Sequence, residues 1–272
     1  MPRRPGERPA PRGRRPSPPP GRRHRPERGL GGEQVEGRRA VEELLAARRR
    51  RVHQLLVAEG LEPAPVLEHI LALASSQRVP VRWLGRTRLD AEALTDSHQG
   101  VLARAEPLPE ADLEALAGGG DLPFLVVVEG VTDPHNLGAI IRTAEFAGAS
   151  GMVLARHGAA RITPAVAKAA AGSIEHLPLS LVPRIPSALQ ELGRAGVWTV
   201  GLDADARAPL FGLELADRPL ALVLGSEGRG LSRLARQRCD VLVSIPRRGR
   251  TESLNVSAAA AVACFEVARR RG

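Results

Sequence analysis

Three stretches of this 272-residue chain set polar or charged side chains and glycines directly after apolar runs. The first is Glu129-Gly130-Val131-Thr132-Asp133-Pro134-His135-Asn136-Leu137-Gly138, continued by Ala139-Ile140-Ile141-Arg142-Thr143-Ala144. The second is Leu224-Gly225-Ser226-Glu227-Gly228-Arg229-Gly230-Leu231. The third is Ser244-Ile245-Pro246, then Ser253-Leu254-Asn255-Val256-Ser257 ahead of an Ala-rich run. An arginine in such a place can clamp a phosphate or stabilise a developing oxyanion, and a Gly-rich turn lets backbone approach a ligand closely. Each stretch also has a plainer account. Asn136 suits a helix N-cap, and Arg142 can pair with Glu145 at i+3. Ser253 or Asn255 can cap the last helix, and the glycines can simply turn the chain. On an ideal helix Asn136 and Arg142 point about 120° apart, so they share a site only through side-chain reach.

Other chemistries find less support. The seven His form no ligand cluster, and Cys239 and Cys264 lack metal-ligand spacing, so no metal is expected. The two thiols read as small buried residues in a reducing cytosol. Gly225, Gly228 and Gly230 give G-x-x-G-x-G rather than G-x-G-x-x-G, which disfavours a nicotinamide-dependent dehydrogenase.

The elements that must position these residues alternate. Apolar strands are predicted at Phe124–Val128, Met152–Leu154, Leu179–Val182, Trp198–Leu202, Leu220–Leu224 and Val241–Ile245. Helices are predicted at Leu137–Ala147, Pro164–Ala171, Ser187–Ala195, Leu231–Arg238 and Val256–Arg270. Continuous apolar strands separated by helices imply an α/β fold with a mostly parallel sheet covered on both faces. Ligands bind beyond the carboxyl ends of such strands, where the three stretches fall. Ahead of this lies a smaller α/β unit. Val35 to Leu45 reads as a helix, Val52–Val57 and Val79–Leu84 as strands, Val66–Ala74 and Leu89–Leu94 as helices, and His98-Gln99-Gly100-Val101 as the entry to a strand. The Arg48–Arg51 run after the first helix suits RNA, or merely complements the helix macrodipole. Pro107 to Gly120 reads as a linker.

The formal charge of +9 is uneven. Residues 1–30 hold ten Arg, two Glu and nine Pro, which leaves the other 242 residues nearly neutral. Such a stretch buries too little apolar surface to offset its ordering entropy, so it reads as a disordered tail, suited to an electrostatic RNA arm. No Tyr and four Phe argue against a surface that reads RNA by stacking. Without a signal-type apolar region or a run of about 20 apolar residues, a soluble cytoplasmic protein with no membrane partner is expected.

In this order, the three stretches resemble the motifs of the SpoU family of RNA ribose 2′-O-methyltransferases, within the SPOUT superfamily. The family's Asn, five residues, then Arg matches Asn136 and Arg142. Its Gly-x-Glu-Gly matches Gly225 to Gly228, and its Ser-Leu-Asn-Val-Ser matches Ser253 to Ser257. The small unit is similar to the ribosomal-protein-L30-like substrate domain of many members. With Asp133-Pro134-His135-Asn136, it looks most like those that methylate a guanosine of large-subunit (23S) ribosomal RNA. With the tail over 1–30 and the linker over 106–121 read from composition, the resemblance implies a substrate domain over 31–105 and a trefoil-knotted methyltransferase domain over 122–272. It implies S-adenosylmethionine as cofactor, held around Gly225, Ile245 and Leu254, and a homodimer. Asn136, Glu227, Ser253 and Asn255 would shape the site around substrate and cofactor, with Glu227 open to an ion pair with Arg142. Arg142 would be the base for the ribose 2′-hydroxyl, or a phosphate clamp, since a guanidinium holds its proton at ordinary pH. His135, beside Pro134, reads as structural. Glu252 stands where relatives more often carry a small polar residue, and Arg247-Arg248-Gly249-Arg250 is unusually basic; that run suits RNA phosphate. Transfer RNA as the substrate, or a non-catalytic RNA-binding role, are the alternatives.

Overall fold

The computed structural model describes residues 29–158, 160–251 and 253–272. Most of the expected tail and Glu252 lie outside the described residues.

The first unit is a four-stranded sheet. β1 (Gln34–Glu36), β2 (Val52–Ala58), β3 (Val81–Leu84) and β4 (Val101–Ala105) lie in the order β1-β4-β2-β3. Only the β2–β3 pairing is parallel. Helices α1 (Arg38–Ala47) and α2 (Pro65–Ser76) cover one face through Val41, Leu44, Leu45 and Ile70, and α3 (Arg86–Glu92) covers part of the other through Leu89. Val35, expected on the first helix, is on β1 instead; Gly37, at φ 94°, turns the chain before the helix begins. Gln99 Oε1 accepts from the Arg38 backbone N–H at 3.0 Å, and His98 bonds Asp90 at 2.8 Å, so this segment fixes the entry to β4.

The expected linker contains structure. Its α4 (Leu113–Ala117) buries Leu113, Leu116 and Ala117 in the core of the second unit, while Ala111 N–H donates to Leu179 O at 2.8 Å. The short apolar run was masked in sequence by flanking Pro and Gly.

The second unit is a seven-stranded parallel sheet. Its strands are β5 (Phe124–Val128), β6 (Gly151–Ala155), β7 (Leu179–Val182), β8 (Trp198–Leu202), β9 (Ala208–Pro209), β10 (Leu220–Leu224) and β11 (Val241–Ser244), ordered β7-β6-β5-β10-β8-β11-β9. Alternation along β5 explains the unbroken apolar run: Phe124, Val126 and Val128 enter one core, Leu125 and Val127 the other. The first core is closed by α5 (Pro134–Phe146), α6 (Pro164–Ala169) and α9 (Val256–Arg271); the second by α4, α7 (Ile185–Arg194) and α8 (Arg233–Arg238). Strand β10 returns to insert between β5 and β8. The chain then goes out again to β11, and α9 comes back to pack on α5. Arg271 pins the end of α9, donating to Ala216 O, Leu122 O and Arg218 O at 2.7–2.8 Å with its guanidinium over the Phe124 ring.

The two units are joined by a buried ion pair. Arg50 donates to both carboxylate oxygens of Glu175, at 3.1 and 2.6 Å, and its remaining terminal nitrogen donates to Gly32 O and Glu106 O, each at 2.6 Å. The two side chains are 2% and 1% exposed. Close by, a Cβ on Gly172 would lie 2.4 Å from the Glu43 side chain, so α1 can rest on this turn only because residue 172 is glycine. Arg50→Ala or Glu175→Ala strands an uncompensated charge and is expected to cost about 3–5 kcal/mol in urea unfolding. Arg50→Met combined with Glu175→Leu should recover most of that loss; a double variant no better than the singles would contradict this account.

Candidate active site

All three chemistry-bearing stretches follow strands of the parallel sheet at their carboxyl ends: β5, β10 and β11. Asp133 ends the first loop by accepting from the His135 backbone N–H at 3.0 Å, and Pro134 starts α5 without needing a donor. The cap lies at Asp133, so Asn136 is released from that role and sits on the buried face of α5 at 8% exposure.

The second stretch folds back on itself. Ser226 and Gly230 exchange backbone hydrogen bonds at 3.0 and 2.9 Å, with Gly228 and Gly230 at positive φ. A Cβ on Gly225 would fall 2.1 Å from the Gly230 carbonyl carbon. Glycine is thus required at 225 by the loop's own backbone, ahead of any ligand. The fold-back places Glu227 at the tip.

The third stretch caps α9. Asn255 Oδ1 accepts from the backbone N–H of Ser257 at 2.8 Å and of Ala258 at 3.4 Å, and from the Ser257 hydroxyl at 2.6 Å. With the oxygen committed, the amide nitrogen points outward from the cap. It donates to Asn136 Oδ1 at 3.0 Å and to Glu227 Oε1 at 3.3 Å, while Asn136 Nδ2 donates to Glu227 Oε2 at 3.1 Å. One hydrogen-bonded triangle therefore ties the three stretches together. Asn136, Glu227 and Asn255 meet here.

Beside the triangle opens a cleft of about 520 Å³, within the roughly 300–1,000 Å³ range of small-molecule sites. It lies past the ends of β8, β10 and β11. Leu224, Gly225, Ile245 and Leu254 give it apolar wall, and Glu227 and Ser253 reach its edge. The basic run contributes Arg247 and Arg248 to the rim.

Arg142 is elsewhere. It is exposed, and it makes no ion pair with Glu145 or Glu227 among the described residues. Both pairings considered from sequence are thus absent: Glu227 is engaged by two amides, and Arg142 faces outward. Its neighbours on that stripe are Ala139 and Phe146, and Phe146 is 77% exposed. Phe146 meets Phe265 of α9 at a ring separation of 6.0 Å. His135 is exposed at the start of the same helix.

Two supporting acids escaped notice in the sequence. Glu129 accepts from the backbone N–H and hydroxyl of Ser232 at 2.8 and 2.9 Å, fixing the start of α8 and hence the far side of the loop. Asp203, at the end of β8, pairs with Arg236 at 2.9 Å on the cleft wall. Each follows an apolar strand immediately, and that was the available signal. Among the described residues no three His, Cys, Asp or Glu side chains group as a metal site would, and no helix is long and apolar enough to cross a membrane.

The model of the SpoU rRNA methylase family matches residues 123–265, and that of the RNA 2′-O ribose methyltransferase substrate-binding domain matches 34–111. The chain is 41% identical to the 23S rRNA (guanosine-2′-O-)-methyltransferase RlmB of Pseudomonas putida, over 88% of this chain and 97% of that protein. It is 37% identical to the protein of that name from Escherichia coli, over 88% and 99%. Among solved structures, the SpoU methyltransferase AviRb from Streptomyces viridochromogenes, crystallised with the cofactor AdoMet, superposes with a TM-score of 0.73 at 27% identity, covering 88% of this chain and 90% of that one.

Neither thiol belongs to the site's chemistry. Burial, and then the nearby carboxylates of Asp240, Glu129 and Asp203, push Cys239 up to about 12; burial alone pushes Cys264 up to about 12. At pH 8 both should therefore stay protonated and react with a thiol reagent far more slowly than free cysteine, becoming reactive in denaturant. Rapid labelling of the native protein would contradict these surroundings.

Proposed function

The chain belongs to the SpoU rRNA methylase family, and from that premise we propose how it works: it transfers a methyl group from S-adenosylmethionine to a ribose 2′-hydroxyl, on a guanosine of 23S ribosomal RNA. The observation that carries this reading is the triangle of Asn136, Glu227 and Asn255 closing onto the cleft lined by Gly225, Ile245 and Leu254.

The cleft fits the cofactor in size and in its mix of apolar wall and polar edge. Gly225, Ile245 and Leu254 would hold its adenine and ribose, largely through backbone groups. Bound there, S-adenosylmethionine supplies an electrophilic methyl on a sulfonium centre. The protein's task is to align the attacking oxygen with that methyl, which is a positioning problem more than one of acid or base strength. Asn136, Glu227 and Asn255 tie the three loops together and would keep them rigid during transfer, and Ser253 contributes a hydroxyl at the rim. Arg142, exposed and without a partner among the described residues, is the residue left to meet RNA. A solvated guanidinium suits a phosphate clamp that also stabilises the developing alkoxide, with the 2′-hydroxyl proton passing to solvent, and we favour this over direct proton abstraction by Arg142.

A homodimer completes the reading. The outward stripes of α5 and α9 carry exposed Phe146, Phe265 and Ala258, with Phe146 one turn along α5 from Arg142, an apolar surface that two copies can share. Joined there, two protomers would bring each Arg142, exposed and outside the triangle's hydrogen bonds in a single chain, to the seam between them.

Labelled S-adenosylmethionine offered with unmodified ribosomal and transfer RNA should mark large-subunit RNA at one ribose. Label confined to transfer RNA would reassign the substrate, and cofactor binding without any transfer would support a non-catalytic role. Arg142→Ala should lower the transfer rate by about 100-fold or more while cofactor affinity stays within a few-fold; equal loss of both would make Arg142 structural. Phe265→Glu should convert a dimer to a monomer in sedimentation velocity with little change in thermal midpoint. A variant that remains dimeric would rule out this face.

A further inference from the structure

The substrate unit carries a second cleft, of about 450 Å³, between the carboxyl-terminal ends of α1 and α2. Arg48, Arg51, His53 and Arg78 line it, and all four are exposed. None of the three arginines is in an ion pair among the described residues. Two of them hold a conformation that disfavours them: Arg48 has φ 52° and Arg78 φ 55°. Both follow helix ends, where a left-handed residue is usually Gly or Asn because Cβ strains that region. Complementing the helix dipole does not require this, since a basic residue one turn earlier would serve without strain. The walls are also held in place. Arg50, between Arg48 and Arg51, is locked by Glu175 and two carbonyls, and Gln77 Nε2, next to Arg78, donates to Leu45 O at 2.8 Å, joining the two helix ends.

We propose that this cleft is a binding site for RNA backbone phosphates, gripping the substrate at a point remote from the reacting ribose. The inference rests on the reading of this chain as an RNA methyltransferase and adds a location to it. The cleft presents unpaired guanidinium groups from two anchored turns, a geometry that matches successive phosphates. Among the described residues no carboxylate is paired with these groups, and no Phe, Tyr or Trp lines the cleft for a base to stack on, so the grip is on backbone rather than sequence.

The test uses the strain itself. In the double variant Arg48→Gly with Arg78→Gly, glycine accepts the left-handed backbone, so the thermal midpoint should hold or rise. Filter retention of a 23S ribosomal RNA transcript should nevertheless weaken about tenfold at low salt. The dependence of log affinity on log salt should become shallower by about 1.4–1.8, as expected for two lost phosphate contacts. Arg51→Glu should weaken retention in the same direction, and cofactor affinity should not change. Unchanged affinity and salt slope would overturn the proposal. So would a fall in midpoint that accounts for the lost binding, or tripolyphosphate saturating the cleft without displacing RNA. Because the readout is retention, its result is separable from the methylation assay. Weakened retention with no methyl transfer would leave the cleft in place and sink the proposed activity, and normal transfer with unchanged retention would do the reverse.

Discussion

A single amide, that of Asn255, uses its two ends for two purposes, and the site depends on the coincidence. The oxygen caps α9, a local need met by many helices. The cap fixes the side chain, and only then is the nitrogen aimed at Asn136 and Glu227. Helix start and active-site geometry thus share one rotamer. The partners have their own conditions. Asn136 is available because Asp133 took the capping role of its helix, and Glu227 arrives because a glycine at 225 lets the loop double back against Gly230.

The same economy joins the two units. Arg50 leaves no terminal guanidinium nitrogen unused: it holds Glu175 with one side and the chain at both borders of the small unit, Gly32 and Glu106, with the other. Burial makes each of these contacts costly to lose and so sets one orientation between the units. In this arrangement the small unit is a fixed extension of the catalytic one, and whatever it grips is held at a set distance from the cleft.

Much of this was legible in the sequence, for identifiable reasons. The strands Phe124–Val128, Leu179–Val182, Trp198–Leu202 and Leu220–Leu224 match their predicted limits because a sheet buried on both faces demands unbroken apolar runs. The three stretches declared themselves because polar residues and glycines followed those runs at once. What stayed hidden lacked a local signature. The short β1 was absorbed into the apparent helix after it, since Val35 fits either period. Helix α4 was too brief to show periodicity between Pro107 and Gly118. Pairings were less legible still. Nothing local says that Glu227 would bond two asparagines rather than Arg142, or that Arg50, within a run of four arginines, is the buried one.

The position of β10 also constrains how the molecule can be made. β5 and β8 never pair with each other; each reaches its final neighbour only when residues 220–224 slide between them. Until then β5 is an open edge of a three-stranded fragment, and β8 has no partner in place. The site is later still, because its hydrogen bonds span 91 and 119 residues of chain. High contact order of this kind slows folding and leaves unpaired edges exposed while it proceeds. The cleft and the triangle therefore need β10, β11 and the start of α9 all in place, and a chain ending before residue 220 would expose the edge of β5 and have no site.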